Sequence, residues 1–143
     1  QLDALNCQYK LFDMIYHKLA VKFLMSDSEL IILYEIYTSS NQLTQKDLCS
    51  LYGLSKQTIN SSIKKLKNDG YIILENLKNN KHKYISLTDV GMDFCNRTIA
   101  KVVEIEKKSL ECLSAEQREV LISVTDLYLN ALNSNANEFI KNN

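Results

Sequence analysis

The sequence predicts a mainly α-helical chain that carries one small β-hairpin. Three observations predict it. The 143 residues include no proline and only three glycines, Gly53, Gly70 and Gly91, so few points interrupt a helix. Apolar residues recur at spacings of three and four along most of the length. One short region breaks that rhythm. Tyr71 to Glu75 and Tyr84 to Leu87 are rich in β-formers, and a polar, turn-prone stretch from Asn76 to Lys83 joins them. Hydrophobic residues make up 45% and charged residues 24%, the balance of a globular domain with a real core. No apolar run approaches the roughly 20 residues that cross a bilayer. Asp3 and Lys10 interrupt the apolar pattern at the start, so no secretory signal is read there and the cytoplasm is the expected location.

The elements follow in order. Leu2, Leu5, Tyr9, Phe12, Tyr16 and Leu19 form a heptad-like seam, suited to packing either on the chain's own domain or on a second copy. Ser26 and Glu29 are spaced as a capping box. The helix behind them holds Leu30, Ile31, Leu33, Tyr34, Ile36 and Tyr37, apolar on most sides, and is expected at the centre of the core. Thr38 to Asn41 read as a polar loop. Thr44 and Asp47 repeat the cap pattern and open a short helix that ends at Gly53. Ser55 caps the next helix, which runs to about Asp69, and Gly70 supplies its left-handed terminus. After the hairpin, Thr88 caps a helix expected to run unbroken past Leu110, and Asp89 suits its first turn. Ser114 and Gln117 cap a last helix, which Asn133-Ser134-Asn135 is expected to end or weaken.

The net charge is zero, but it is unevenly placed. Residues from Thr44 to Lys83 hold eight lysines against Asp47, Asp69 and Glu75, while both flanks are acidic. Two readings fit this excess, a solvated lysine-rich face or an anion-binding footprint.

The segment from Thr44 to Gly70 helps decide between them. A short helix, a glycine turn and a second helix, with Leu48, Leu51, Leu54, Ile59 and Ile63 facing inward, is the spacing of a helix-turn-helix. With Ile59, Ile63 and Leu66 buried, the second helix presents Lys56, Gln57, Thr58, Asn60, Ser61, Lys64 and Lys65. Gln and Asn pair with an adenine edge, a Thr methyl meets a thymine methyl, and Ser and Lys hold phosphates. Ser55, Lys56, Gln57, Thr58, Asn60 and Ser61 are therefore the candidate base-reading residues, with Thr44 beside them, and Lys64 and Lys65 the backbone-facing ones. Lys78, Lys81, His82 and Lys83, at the hairpin tip, complete a candidate wing for the minor groove or its phosphates.

These residues resemble the MarR family of bacterial transcription regulators. The resemblance rests on Leu43-Thr44-Gln45-Lys46-Asp47-Leu48, Ser55-Lys56-Gln57-Thr58-Ile59 and the run from Lys65 to Ile72. It also rests on Ile85-Ser86-Leu87-Thr88-Asp89-Val90-Gly91, which is similar to the family's SLTxxG run. It implies a winged-helix fold and a homodimer built from the terminal helices. It further implies a pseudo-palindromic double-stranded DNA operator, a repressor's role, and release by a small-molecule effector or an oxidant. The family's DxRxxR wing is absent, because the tip has neither Arg nor Asp. Lysine is a point charge and lacks arginine's forked fit to a narrow groove, so the family's wing contact is not carried over.

The assembled expectation is a winged helix-turn-helix over residues 26–90. An N-terminal dimerisation helix (1–25) and C-terminal dimerisation helices (91–143) flank it. Cys7, in the N-terminal helix, is a candidate redox sensor by the same resemblance. It lies off the seam with Lys10 as its only basic neighbour in sequence, so a plain helix cysteine is the competing reading. Cys49, Cys95 and Cys112 read as small apolar residues. Tyr16, Tyr34, Tyr37 and Tyr128 are placed to line an effector pocket or to sit in a core. Two histidines, His17 and His82, are too few for a metal site, and no cofactor is expected. No GxSxG, HExxH or phosphate loop is present, so an enzyme is not expected. The alternative function is a winged-helix protein-interaction module without DNA binding.

Overall fold

The computed structural model describes residues 1–40, 42–76 and 83–142. It contains α1 (Leu2–Lys22), α2 (Asp27–Thr38), β1 (Leu43–Thr44), α3 (Gln45–Tyr52), α4 (Lys56–Asn68), β2 (Ile72–Asn76) and β3 (Lys83–Leu87). Then follow α5 (Asp89–Arg97), α6 (Ile99–Glu111) and α7 (Ala115–Lys141). The chain divides into two compact units, Gln1–Val102 and Val103–Asn143.

In the first unit, α2 is central as its composition requires. Leu30, Ile32 and Leu33 are buried, and Leu48, Ile59, Ile63, Leu66, Ile72, Ile85, Cys95, Ile99 and Val102 complete the core with them. Each such aliphatic side chain contributes roughly 1.5–3 kcal/mol of burial. The sheet is antiparallel in the order β1-β3-β2. Its two-residue edge strand was not anticipated. Leu43 pairs with Ile85 and Thr44 with Tyr84, which fixes the start of α3 against the base of the hairpin.

The run similar to SLTxxG has a local physical cause. Leu87 closes the strand pairing opposite Ile72. The Thr88 hydroxyl donates to the Gly70 carbonyl at 2.6 Å and accepts the Gly91 N–H at 2.9 Å, so one side chain joins the end of α4 to the start of α5. A β-carbon on Gly91 would lie 1.9 Å from the Tyr71 carbonyl oxygen, and only glycine permits that approach. Phe94 stacks on Tyr71, with ring centroids 4.3 Å apart. Gly70, at φ +78°, is the left-handed residue after α4 that the sequence leads one to expect.

α1 ends in a left-handed turn of another kind. The Leu24 and Met25 amides return to the carbonyls of Val21 and Ala20, the pairing of a Schellman motif, with Leu24 at φ +58°. His17 Nδ1 lies 2.9 Å from Asp27 Oδ1 across this corner, an exposed pair of small energetic weight.

Four expectations are corrected. The helix after Thr88 is broken at Thr98 (φ −122°, ψ −69°), whose hydroxyl donates to the Phe94 carbonyl at 2.7 Å. Cys95, Ile99 and Val102, on either side of the break, are all in the core. Asn133-Ser134-Asn135 does not end α7, which continues to Lys141. Asn137 donates to Asn133 Oδ1 across the polar stretch at 3.2 Å. Leu51 faces solvent, not the core. Cys112 is exposed and not a buried apolar residue.

In the second unit, α7 has no buried residue among those described, and Val120, Leu121, Ile122, Leu127 and Leu132 are exposed. Among the described residues, no helix is long and apolar enough to cross a membrane.

Candidate nucleic-acid interface

The helix-turn-helix is built from two helices with different duties. α3 is held at its start by the Thr44–Asp47 capping box. The Asp47 carboxylate accepts from the Thr44 N–H (2.8 Å) and hydroxyl (2.7 Å), and Thr44 Oγ1 accepts the Asp47 N–H (3.3 Å). Leu48 anchors α3 in the core, and Gly53 ends it. At its C-terminal end, the Tyr52 hydroxyl donates to Glu35 of α2. α3 is therefore fixed at both ends and serves as the brace.

α4 is the amphipathic partner. Ile59, Ser62, Ile63 and Leu66 are buried, and Lys56, Gln57, Thr58, Asn60, Ser61 and Lys64 are exposed on its other side. Their roles diverge in the structure. Ser55 caps the helix: its Oγ accepts the Thr58 N–H at 3.0 Å and shares a hydroxyl bond with Thr58 Oγ1 at 2.8 Å. Ser61 Oγ donates back to the Gln57 carbonyl at 2.9 Å. Among the described residues, no side-chain hydrogen bond or ion pair engages Lys56, Gln57, Asn60 or Lys64, so these four offer their polar ends outward.

Lys65 differs from what the sequence suggests. Its ammonium stands 2.9 Å from Oε1 and 3.0 Å from Oε2 of Glu29, a buried carboxylate on α2, and 3.8 Å from Asp69. The hydrogen bond to Glu29 holds the Lys65 pKa above its ordinary 10.5, against a smaller opposing effect of burial. A lysine tied this way is not a free phosphate ligand. Glu29 carried a second signal besides its cap spacing: it is an acidic residue inside the most apolar helix.

Thr44, Lys56 and Lys83 come together around an open cleft of about 420 Å³, which Gln45, Lys46 and Cys49 also line. In the sequence Lys46 counts towards the charge excess and the run from Leu43 to Leu48, but not among the candidate DNA contacts. Its place in the first turn of the bracing helix was the available signal. Lys78, Lys81 and His82 lie outside the described residues. All four cysteines are free thiols, with Cys7 exposed, and burial pushes the Cys95 thiol up to about 12. Among the described residues, no cluster of potential metal ligands occurs.

A buried helix, a capped brace, an outward-facing polar helix and a two-stranded arm after it make a winged helix. Residues 25–81, which contain all of α3 and α4, match the model of the MarR family. That segment is similar to the winged helix of the MarR family. The MarR-type fold extends beyond that segment. A MarR family regulator from Neisseria meningitidis superposes with a TM-score of 0.82 at 21% identity, covering 96% of this chain and 97% of that one. A putative MarR family regulator from Listeria monocytogenes, in complex with a 26mer DNA, gives 0.74 at 18% identity over 94% and 90%. Staphylococcus aureus MarR, in complex with salicylate and kanamycin, gives 0.71 at 18% identity over 93% and 90%. No curated protein sequence matches the chain at a significant level.

Proposed function

We propose that this chain is a MarR-type, sequence-specific regulator of transcription that binds double-stranded DNA as a homodimer. Most directly, the reading is carried by α4, whose exposed face holds Lys56, Gln57, Asn60 and Lys64 with their polar ends unengaged among the described residues. Gln57 and Asn60 read base edges in the major groove. Lys56, Lys64, Lys46 and Lys83 hold the phosphates on either side. Ser55, Thr58 and Ser61 support the reading turn through their caps and add hydroxyl contacts at its rim. Lys78, Lys81 and His82 belong to the wing that follows the groove.

Residues 26–90 form the DNA-binding part, and residues 1–25 and 91–143 supply the dimer helices. The exposed apolar residues of α1 and α7 support this division, since surfaces of that size mark association. A two-fold axis sets two copies of α4 into successive major grooves, so the operator is pseudo-palindromic. The protein acts as a repressor, released by a small ligand or by an oxidant acting at Cys7. The ligand route is supported by the salicylate complex of the S. aureus relative. Recovery of genomic fragments bound by the purified protein, with and without oxidant, tests the reading. An inverted repeat in the recovered fragments is the expected result. Absence of any DNA binding at low salt would overturn it, because phosphate contacts are strongest there.

A further inference from the structure

Glu29 is buried to 4% exposure, and neither helix capping nor DNA reading accounts for its depth. Its Oε2 accepts the Ser26 N–H at 2.9 Å, which is the capping bond. The same carboxylate also receives Lys65 from α4, at 2.9 Å on Oε1 and 3.0 Å on Oε2. Next to this pair, Ser62 of α4 and Ser28 of α2 share a hydroxyl bond at 2.7 Å. The first turn of α2 is thus tied to the second half of α4 by two polar links. That same turn of α2 follows directly on the left-handed corner that ends α1.

We infer that the Glu29–Lys65 pair is a clamp that sets the angle of the reading helix against the α1–α2 corner. Lys65 is a positioning residue that acts on DNA selectivity through Glu29, not a phosphate contact. The inference rests on the DNA-reading proposal above and deepens it.

The physical argument is one of direction. Ile59, Ile63 and Leu66 hold α4 by aliphatic contact, which is non-directional and tolerates rotation of the helix about its axis. Gln57 and Asn60 lie on the opposite side, so a small rotation carries their amides away from a base edge. A two-oxygen contact to one ammonium resists that rotation. Burying a carboxylate is costly, and an apolar pair often serves stability as well, so conformational definition is the better account of its presence.

The full chain tests this with K65M, K65R and E29Q. Each is titrated against a recovered genomic fragment and a scrambled duplex at several salt concentrations. Gln at position 29 retains the capping bond, because the amide oxygen still accepts the Ser26 N–H. K65M and E29Q are each expected to lose about ten-fold in the ratio of specific to scrambled binding, the scale of coupling between contacting residues. Scrambled binding and the salt slope stay as in the wild type, and K65R restores most of the ratio. Two results overturn the inference. One is K65M weakening both duplexes equally, with a salt slope shallower by about 0.9, the mark of a lost phosphate contact. The other is E29Q binding as tightly as the wild type or more so. Should K65M fail to fold, the E29Q and K65R results decide. A wild type that binds neither duplex at low salt overturns the DNA-reading proposal itself. The clamp is then judged by a K65M/E29Q double-mutant cycle in urea unfolding, where additive effects overturn it as well.

Discussion

At the scale of residues, neighbours on one helix have different work. Gln57 and Asn60 end in amides that both donate and accept, whereas Lys64 offers a point charge. Gln57→Ala or Asn60→Ala is expected to cost about 1–3 kcal/mol at cognate DNA and little at random DNA, since a base contact carries sequence information. Lys64→Ala is expected to weaken all DNA alike and to make the salt slope shallower by about 0.9. Competition titrations at two salt concentrations separate these outcomes. Gly91 is constrained by space. Its missing β-carbon lets α5 pass the Tyr71 carbonyl, and that oxygen is backbone and has little freedom to yield. Gly91→Ala is therefore expected to destabilise the fold by about 3 kcal/mol, read as a lower urea midpoint at unchanged slope.

At the scale of elements, the junctions carry the interest. Sequence spacing located capping boxes at Ser26–Glu29, Thr44–Asp47 and Ser114–Gln117, and all three are formed. Caps are legible because they need only residues three apart on one chain segment. The break at Thr98 is not legible that way. Thr98 sits in a run with good helical periodicity, in which Cys95, Ile99 and Val102 keep helical spacing across the break, so nothing in the apolar pattern marks it. The α1–α2 corner stores strain in Leu24, a non-glycine residue at φ +58° whose side chain is 90% exposed. Leu24→Gly is expected to raise stability by about 1 kcal/mol, checked by thermal unfolding, since glycine adopts that conformation without penalty.

The α2–α4 tie has a pH signature. The folded-state pKa of Lys65 is raised above 10.5. Its contribution is therefore complete below pH 10.5 and is lost as the pH climbs through the raised value. Wild type and K65M are expected to differ in unfolding midpoint by a constant amount near neutrality and to converge in strong alkali. The effect is small, because the Lys65 side chain is more than half exposed.

At the scale of the whole molecule, the exposed apolar surface needs an account. In α1, Leu2 and Phe12 are exposed, and in α7 Leu127 and Phe139 reach 72% and 71%. The heptad-like seam is therefore not consumed by packing within the first unit, where Ala20 is the one buried residue of α1 among those described. A second copy of the chain is the proposed cover. Leu127→Glu is expected to shift sedimentation towards the monomer and to weaken operator binding steeply, since one copy then engages one half-site. Unchanged sedimentation would place the dimer contact elsewhere.

The sequence by itself determined the order and type of most elements, the three capping boxes, the buried stripe of α4 and the face it leaves to solvent. Each of these depends on residues within a turn or two of one another, where periodicity and hydrogen-bonding chemistry act directly. The tertiary structure alone decided which partner Lys65 meets, why Gly91 is needed and how Leu43 joins the sheet. Each depends on residues far apart in the chain that share a small volume: Glu29 with Lys65, Gly91 with Tyr71, and Leu43 with Ile85. A lysine on a polar helix face looks the same in sequence whether a phosphate or a buried carboxylate awaits it, and only the folded chain shows which partner lies within 3 Å.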